Sequence, residues 1–273
     1  MPTLEWNRRL WGEEYDWSLA GNEWSESWGS PAAQWYGSLL PRIYHWLPAG
    51  TVLEIAPGFG RWTQFLKDLA RELIVVDLVP RCIDACRDRF ASAQNVAYYV
   101  NDGRSLGMLS DRSVDFAFSF DSLVHVELDV IVAYVGELAR VLQGDGVAFI
   151  HHSNIGAYPR RTAIDRLLPQ HPHPWPALRS VLRRTGMVAT NPGNRAMSVS
   201  APLVASACDA VGLRCITQEL VVWNEPHILS DCFSVITPAG SRWTGSHRSV
   251  TNHKLGSEAG YNAARDLLYT VRR

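Results

Sequence analysis

The chain has 273 residues, 47% of them hydrophobic and 19% charged, so it can bury one large core and is not a disordered polymer. A formal net charge of -1 gives no global attraction for nucleic acid or for an anionic membrane surface. No run of about 18 apolar residues is free of charges and turn residues, and the N-terminus lacks the apolar core of a signal peptide. We therefore expect a soluble cytoplasmic protein whose five cysteines remain buried free thiols.

The most unusual feature of the composition is tryptophan, with 11 residues in the chain. Indoles at this density either fasten a helical cap to a domain or line a pocket for flat or sugar-like ligands. Packing is the favoured interpretation, because large aromatic side chains are mostly core. We expect residues 1–48 to form an N-terminal aromatic cap, with a helix over 31–47. Seven tryptophans fall in this segment: Trp6, Trp11, Trp17, Trp24, Trp28, Trp35 and Trp46.

Beyond the cap, short apolar runs alternate with segments of helical periodicity. Strands separated by helices of this length form repeated βαβ units and a parallel, doubly wound, Rossmann-like α/β sheet. The run-by-run pattern predicts strands over 51–56, 72–78, 95–102, 113–121 and 146–153, with helices over 61–70, 81–90 and 128–142.

The periodicity fails between residues 153 and 200. A long irregular insertion in a compact domain is usually a lid or a binding loop, so we interpret 153–200 as a lid or acceptor loop within a domain spanning 49–240. His171 and His173 stand in an HPHP run there that could mimic a metal pair. Proline-rich loops often carry exposed histidines, however, and no ligand set is apparent, so we expect no essential metal.

Regular periodicity resumes with a helix over 200–212 and two strands over 213–223 and 231–238. Only a short loop joins these strands, so they should pair antiparallel at one edge of the sheet. The expected sheet therefore has seven strands and is mostly parallel. The tail, 241–273, shows only a weak helix at 258–271.

A glycine turn, EIAPGFG at 54–60, follows the first of these strands and leads into a helix. Gly58 and Gly60 permit a close approach of the backbone, and the helix that follows offers unpaired N–H groups to a ligand. A dinucleotide fingerprint, G-x-G-x-x-G, requires a third small residue, but that position falls on Thr63 or on Arg61. The turn therefore fits a dinucleotide poorly.

With an acid opening the turn, this segment resembles motif I of the class I methyltransferases that depend on S-adenosylmethionine (SAM), E/D-x-G-x-G-x-G. Ala56 replaces the first glycine, a mild departure, and the resemblance covers roughly residues 50–155. It implies that Asp77, after the second strand, binds the ribose hydroxyls of SAM, and that Asp102, after the third, faces the adenine. The cofactor-binding residues that it implies are Glu54, Ala56, Pro57, Gly58, Gly60, Asp77, Leu78, Asp102, Gly103, Phe120 and Asp121.

The run FSFDSLVHVELDVIVAYVGELARVLQGDGVAFIHHSN resembles small-molecule and sugar methyltransferases of bacterial surface-polysaccharide and natural-product pathways. It implies methyl transfer to a hydroxyl of a small molecule or glycan, with a sugar first and a natural-product phenol or amine second. Two rivals remain, a nucleotide-binding Rossmann protein without turnover and an NAD-dependent oxidoreductase. Nucleic-acid acceptors are disfavoured, because FDSLVH follows strand four where amino-group nucleic-acid methyltransferases have an N/D-P-P-Y/F run. A homodimer is compatible with the cap and the tail.

Transfer to a hydroxyl requires alignment and the removal of a proton. The candidate bases follow strands four and five: His125 first, then either His151 or His152, then Asp121. Neighbouring residues of a strand point to opposite faces, so at most one of the paired histidines should face the site. Asp121 is also the one candidate metal ligand, without a clear partner. The residues expected to contact the acceptor are Trp24, Trp28, Trp35, Tyr36, His125 and Asn154.

Overall fold

The structure, a computed structural model, describes residues 2–160, 181–182, 194–223 and 228–269. Of the insertion expected at 153–200, it covers only the two ends and one short piece, and His171 and His173 lie outside the described residues. Among the described helices, none combines the length and the apolar character that crossing a membrane requires.

A single eight-stranded sheet forms the centre of the molecule. The strands are β1 (Ala49–Ile55), β2 (Ala70–Asp77), β3 (Val96–Val100), β4 (Val114–Ser119), β5 (Leu142–Ser153), β6 (Leu213–Val221), β7 (Asp231–Pro238) and β8 (Arg248–Asn252). Their order is β3-β2-β1-β4-β5-β7-β6-β8, and β7 is antiparallel to both of its neighbours. The Rossmann-like, mostly parallel sheet is confirmed, with eight strands rather than seven because the tail adds β8, parallel to β6.

The helices flank the sheet at the positions that the periodicity predicts, with one marked difference. The segment expected to be helical over 61–70 is helical only from Thr63 to Leu66. The chain is already extended at Ala70, which pairs with Ala49 of β1 and so ends the helix early. Within the described ranges, the α-helices with defined bounds are α1 (Leu4–Arg9), α2 (Pro31–Gln34), α3 (Leu40–Ile43), α4 (Thr63–Leu66), α5 (Pro80–Arg89), α6 (Leu128–Val141), α7 (Ala201–Ala210) and α8 (Leu255–Tyr269).

The N-terminal cap is built from short helical turns. After α1 and a π-helical turn, a 3-10 segment at Asn22–Trp28 leads to Ser30, whose hydroxyl accepts the N–H of Ala33 at 3.0 Å and caps α2. Pro31 at the first helical position strengthens this start. Helical turns of three kinds then continue to Trp46, which matches the helix expected over 31–47.

Two apolar layers cover the sheet. On one face, α6 and α7 contribute Val135, Leu138 and Val204; on the other, the cap contributes Trp35 and Leu39. The central parallel strands are buried on both faces, which explains why they are continuous apolar runs. All five cysteines are buried free thiols, as expected.

The tail returns across the molecule to the cap. Helix α8 packs against the 3-10 segment Asn22–Trp28, so that a Cβ at Gly29 would lie 3.1 Å from the backbone of Ala263. Arg42 of α3 forms ion pairs with Glu219 of β6 at 2.7 Å and with Glu258 of α8 at 2.9 Å. The cap, the far side of the sheet and the tail are therefore joined at one guanidinium.

Candidate active site

A cavity of about 890 Å³ opens at the carboxyl ends of β1, β2 and β4, beneath the N-terminal cap. In open α/β sheets this edge is the usual location of ligand sites. Most of the wall comes from the cap, the loops after these strands, the segment beginning at Asn194, the residues after β6 and the start of α8.

The glycine turn supplies one wall of the cavity. Ala56, Pro57 and Gly58 line it, and Ala56 and Gly58 adopt left-handed backbone angles with φ of 57° and 59°. Gly60 does not line the cavity. A Cβ at Gly60 would lie 2.5 Å from the ring of Phe90, so this glycine allows the turn to pack against the residue that ends α5.

The space directly over Gly58 is occupied by the cap. A Cβ at Gly58 would lie 2.8 Å from the indole of Trp17, which stacks on Phe59 at 4.5 Å between ring centroids. The indole N–H of Trp17 donates to the carbonyl of Trp11 at 2.8 Å, which fixes its orientation. The cap is therefore the roof of the glycine turn.

Asp77 is the acid at the wall of the cavity. Its buried carboxylate accepts the N–H of Val79 at 2.8 Å and that of Gly58 at 3.3 Å. Burial raises the pKa of Asp77 to about 7, against the effect of these N–H donors. Leu78 and Gly103 extend the same wall, and a Cβ at Gly103 would meet the side chain of a cap leucine at 2.9 Å.

Two acids that the resemblance associates with the cofactor do not line the cavity. Glu54 lies buried under the turn, where one carboxylate oxygen accepts the hydroxyl of Thr63 at 2.6 Å and the other has no partner among the described residues. Burial raises the pKa of Glu54 to about 8. Asp102 is exposed and accepts the N–H groups of Ser105 at 2.7 Å and Arg104 at 2.8 Å, which lower its pKa. In this structure, therefore, Glu54 supports the turn and Asp102 caps its own loop.

Asp121 lines the cavity in a strained conformation. Its φ is 63°, a left-handed angle that non-glycine residues rarely adopt. The carboxylate pairs with Arg61 at 2.8 Å, and the backbone N–H donates to Nδ1 of His151 at 3.1 Å. The guanidinium of Arg61 also lies over the rings of Trp24 and Trp62, at 5.1 and 4.6 Å from their centroids. Phe120, the preceding residue, also lines the cavity.

Among the histidines that the structure describes, His125 is the one that lines the cavity. Its Nδ1 lies 3.2 Å from the carbonyl oxygen of Asn194, and its Nε2 has no hydrogen-bond partner among the described residues. Burial and the charge of Arg195 lower the pKa of His125 to about 4. The ring is therefore neutral at neutral pH, and the carbonyl assigns the proton to Nδ1, which leaves the lone pair of Nε2 available.

The paired histidines of β5 are placed differently. Both are fully buried, and neither lines the cavity, whereas the sequence reasoning allowed at most one of them to face the site. His151 bonds Asp231 through Nε2 at 3.0 Å. His152 bonds the Ser153 carbonyl and the Ser234 hydroxyl, both at 2.8 Å, and burial lowers its pKa to about 4. His151 is enclosed by the rings of Phe120, Trp223 and Phe233, at 4.7 to 5.0 Å between ring centroids.

Of the other residues expected to contact the acceptor, the cavity includes Trp24 and Trp28. Trp35 is 1% exposed and stacks in the core, and Tyr36 is 62% exposed on the outer surface. Asn154 is buried, where its amide bonds two backbone groups at 2.8 Å, one of them at the start of α7. Of these five residues, two tryptophans of the cap therefore line the cavity, whereas Trp35, Tyr36 and Asn154 do not.

Several cavity residues escaped the sequence reasoning. Arg195 lines the cavity and donates to Asp231 through Nε at 2.5 Å and Nη2 at 2.7 Å, and its guanidinium lies 5.6 Å from the ring of Trp223. Tyr15 donates to Glu23, and both line the cavity. Arg195 has no sequence signal, because it lies in the aperiodic insertion. Asp231, which binds Arg195, does have one, because an acid opens the strand predicted over 231–238.

The first two turns of α8 also reach the cavity. Leu255, Gly256, Ala259 and Gly260 line it, and a Cβ at either glycine would meet nothing within 4 Å. Small residues at this helical spacing are the one signal that could have indicated a ligand-facing surface in the tail.

Within the described ranges, no group of three or more His, Cys, Asp or Glu residues is placed to hold a metal ion. The part of the insertion that contains His171 and His173 is not among those ranges.

Comparison with known proteins defines the class. Residues 52–146 match the model of a methyltransferase domain. Phosphoethanolamine N-methyltransferase 1 of Caenorhabditis elegans is 28% identical over 102 residues, 37% of this chain and 21% of that protein. Protein-L-isoaspartate O-methyltransferase of Picosynechococcus sp. is 36% identical over 61 residues, 22% of this chain and 28% of that protein. The matched segments thus span between 21% and 28% of these curated relatives.

Solved structures share the fold. A candidate S-adenosylmethionine dependent methyltransferase from Listeria monocytogenes superposes with a TM-score of 0.54 at 12% identity, over 76% of this chain and 98% of that one. A protein from Pyrococcus horikoshii OT3 superposes with a TM-score of 0.52 at 19% identity, over 84% and 95%. Likeness at this identity concerns the fold alone. The domain match identifies residues 52–146 as a methyltransferase domain that depends on SAM, and the solved structures agree with it in fold.

Proposed function

We propose that the protein transfers a methyl group from SAM to a hydroxyl of a small molecule or glycan, and that a sugar is the acceptor. The observation that carries this proposal is one continuous cavity that contains both Asp77 with the glycine turn and, elsewhere on its wall, His125 with aromatic side chains. Donor and acceptor can meet inside such a cavity with water excluded.

The residues at the glycine turn fit the donor. Asp77 is a buried carboxylate at the cavity wall that holds only backbone N–H groups, so it can accept the ribose hydroxyls of SAM. Gly58 presents no side chain to the ligand, and Leu78 and Gly103 can border the adenosine. When bound, SAM would supply a methyl group that its sulfonium activates for in-line transfer to the acceptor oxygen, with cleavage of the C–S bond and release of a neutral thioether.

His125 is the proposed general base. The Asn194 carbonyl holds the proton on Nδ1, so Nε2 can take the proton that the acceptor hydroxyl loses as its oxygen bonds the methyl carbon. Asp121 is the weaker candidate, because its carboxylate is already paired with Arg61. We propose that this pair orients the acceptor instead.

The walls of the cavity away from the turn suit a sugar. Trp24, Trp28 and Trp223 line it and offer flat apolar surfaces, while Glu23 and the Arg61 pair offer donors and acceptors for hydroxyl groups. Arg61 is paired with Asp121 and Arg195 with Asp231, so both cations at the wall already face a carboxylate, which favours a neutral polyol over an anionic acceptor.

An amine acceptor is the second candidate, and a phenol the third. The observation that favours an amine is the proximity of aromatic rings and the Glu23 carboxylate, which can hold a cation; the C. elegans relative is an amine methyltransferase by name. His125→Gln separates these cases. Turnover of a hydroxyl should fall by about 10²-fold or more, whereas a neutral amine needs no base and should lose little.

The experiment that tests the function is calorimetric titration with SAM, S-adenosylhomocysteine and NADH, followed by a screen of sugars, phenols and amines for methyl transfer. Asp77→Asn should abolish binding of the first two. Asp102→Asn is the matched control, because Asp102 is exposed and lies off the cavity wall. Preference for NADH would refute the proposal, and SAM binding without any turnover would favour the non-catalytic Rossmann protein.

A further inference from the structure

A buried ionic cluster lies behind the cavity, at the junction of β5 and β7. Asp231 and His151 are 0% exposed and Arg195 is 4% exposed. Asp231 does not line the cavity, but His125 and Asp121 do. Arg195 follows Asn194, whose carbonyl contacts His125, and His151 contacts the backbone N–H of Asp121. We infer that Asp231 is a positioning residue that holds His125 and Asp121 in their working orientations, an inference that rests on the proposed function.

The first arm of the cluster runs to His125. Asp231 takes two hydrogen bonds from the guanidinium of Arg195, at 2.5 and 2.7 Å, which fixes that side chain in two directions. The preceding residue, Asn194, turns its carbonyl to Nδ1 of His125 at 3.2 Å and adopts a left-handed φ of 52°. The anchored arginine therefore holds the carbonyl that determines which nitrogen of His125 is free.

The second arm runs to Asp121. Nε2–H of His151 donates to Asp231 at 3.0 Å, so Nδ1 is the accepting nitrogen and takes the N–H of Asp121 at 3.1 Å. This bond holds Asp121 in its strained backbone conformation, from which the carboxylate reaches Arg61. The tautomer of His151, and with it the orientation of Asp121, depends on Asp231 being an ionised acceptor.

Stability alone does not explain such a cluster. Burying an ion pair usually gains little over apolar residues of the same size, because desolvation opposes the attraction. Burial alone would raise the pKa of Asp231, but Arg195 and His151 hold it well below the ordinary value. The carboxylate is thus ionised at neutral pH, as both arms require.

The test is Asp231→Asn, observed by nuclear magnetic resonance of the histidine rings. The new amide has a single acceptor oxygen, so its NH2 group must face either Nε or Nη2 of Arg195, and the two-point bond to the guanidinium is lost. We expect the His151 ring resonances and the Asp121 amide resonance to move as a charged acceptor becomes a neutral one, and the apparent pKa of His125 to fall further, because the charge of Asp231 that raises it is removed while that of Arg195 remains. The charged groups near His125 are Arg195, Asp121 and Asp231.

Two further measurements separate the inference from the proposed function. Binding of S-adenosylhomocysteine to Asp231→Asn should stay within about twofold of wild type, because Asp77 and Gly58 are outside the cluster. With an acceptor from the screen, kcat should fall by about tenfold or more with the KM for SAM unchanged. If wild type does not bind S-adenosylhomocysteine, the proposed function fails, while the ring resonances still report on the positioning.

Asp115→Asn is the matched control, since its carboxylate accepts the N–H of Thr51 at 2.7 Å at the opposite end of β4. It should leave all three resonances unchanged. Should Asp231→Asn fail to fold, Arg195→Lys keeps the cation but cannot form the two-point bond; it should move His125 while His151 keeps its tautomer. A folded Asp231→Asn protein with unaltered His125 and Asp121 resonances would overturn the inference.

Discussion

Asp77 is a residue at which stability and ligand binding oppose each other. Its carboxyl group is buried without a cationic partner in contact, and burial raises its pKa from 3.8 to about 7. The folded protein therefore holds this proton more tightly than the unfolded chain does. The free energy of unfolding that this group contributes is complete below about pH 4 and is lost as the pH rises through about 7.

We therefore expect Asp77→Asn to be more stable than wild type near pH 8, by roughly 1–3 kcal/mol, and equally stable near pH 4. The same variant should not bind SAM, because the amide is a poor acceptor for two ribose hydroxyls. Denaturant unfolding at a series of pH values provides the measurement, with Asp102→Asn as the control. Equal pH dependence of wild type and Asp77→Asn would contradict the raised pKa.

At the residue scale, the sequence predicted which residues lie at the cavity when they directly follow a strand. Asp77 and Gly58 lie at the cavity because the carboxyl ends of parallel strands meet at one edge. The same reasoning does not reveal which way a side chain turns, and Glu54, which the resemblance associates with the cofactor, lies buried under the turn. Nor does it show that three aromatic rings enclose His151, because strand order is not written in local periodicity.

At the scale of elements, the N-terminal cap covers the glycine turn through the indole of Trp17. Trp17 is 6% exposed and lies in a cluster of rings with Trp11, Tyr15 and Trp24, at centroid distances of 4.9 to 6.0 Å. It also covers Gly58. The packing of the cap and the shape of the cofactor end of the cavity therefore depend on the same side chain.

Trp17→Ala should lower the free energy of unfolding by about 3–5 kcal/mol and also weaken SAM binding, because the roof over the glycine turn collapses or opens. Tyr36→Ala is the control, since Tyr36 is 62% exposed, and it should change stability by about 0.5 kcal/mol or less. Thermal unfolding with and without S-adenosylhomocysteine measures both effects. Undiminished binding by Trp17→Ala would show that the indole is not part of the cofactor site.

Whether a strand could be predicted from the sequence depends on how deeply it is buried. Strands β1, β2 and β4 are continuous apolar runs because both of their faces are covered, and such runs are visible in the sequence. Strand β8 is the opposite case: its side chains are exposed, and it joins the sheet by backbone pairing with β6. A polar edge strand has no periodicity to detect, so the tail carried no signal for it.

At the scale of the whole molecule, Arg42 joins three distant segments. It is 17% exposed and pairs with Glu219 and Glu258, which hold β6 and α8 against the cap. Removal of the guanidinium leaves two half-buried carboxylates facing each other without a counter-charge.

Arg42→Met should therefore destabilise the protein by about 1–3 kcal/mol and increase amide hydrogen exchange in α8 and in Asn22–Trp28 while the central strands stay protected. Arg87→Met is the control: Arg87 pairs with Asp84 on the surface, where an ion pair contributes little. Exchange that rises uniformly across the sheet would contradict a local role for Arg42.

The contact between α8 and Asn22–Trp28 also has a consequence for how the protein is made. These two segments form adjoining walls of one cavity, although more than two hundred positions separate them along the chain. During synthesis the ribosome delivers the cap first, and the sheet can begin to assemble behind it. The wall that α8 contributes does not exist until residues 255–260 have left the exit tunnel, so a nascent chain has the glycine turn, the proposed site of the methyl donor, before it has an enclosed cavity around it.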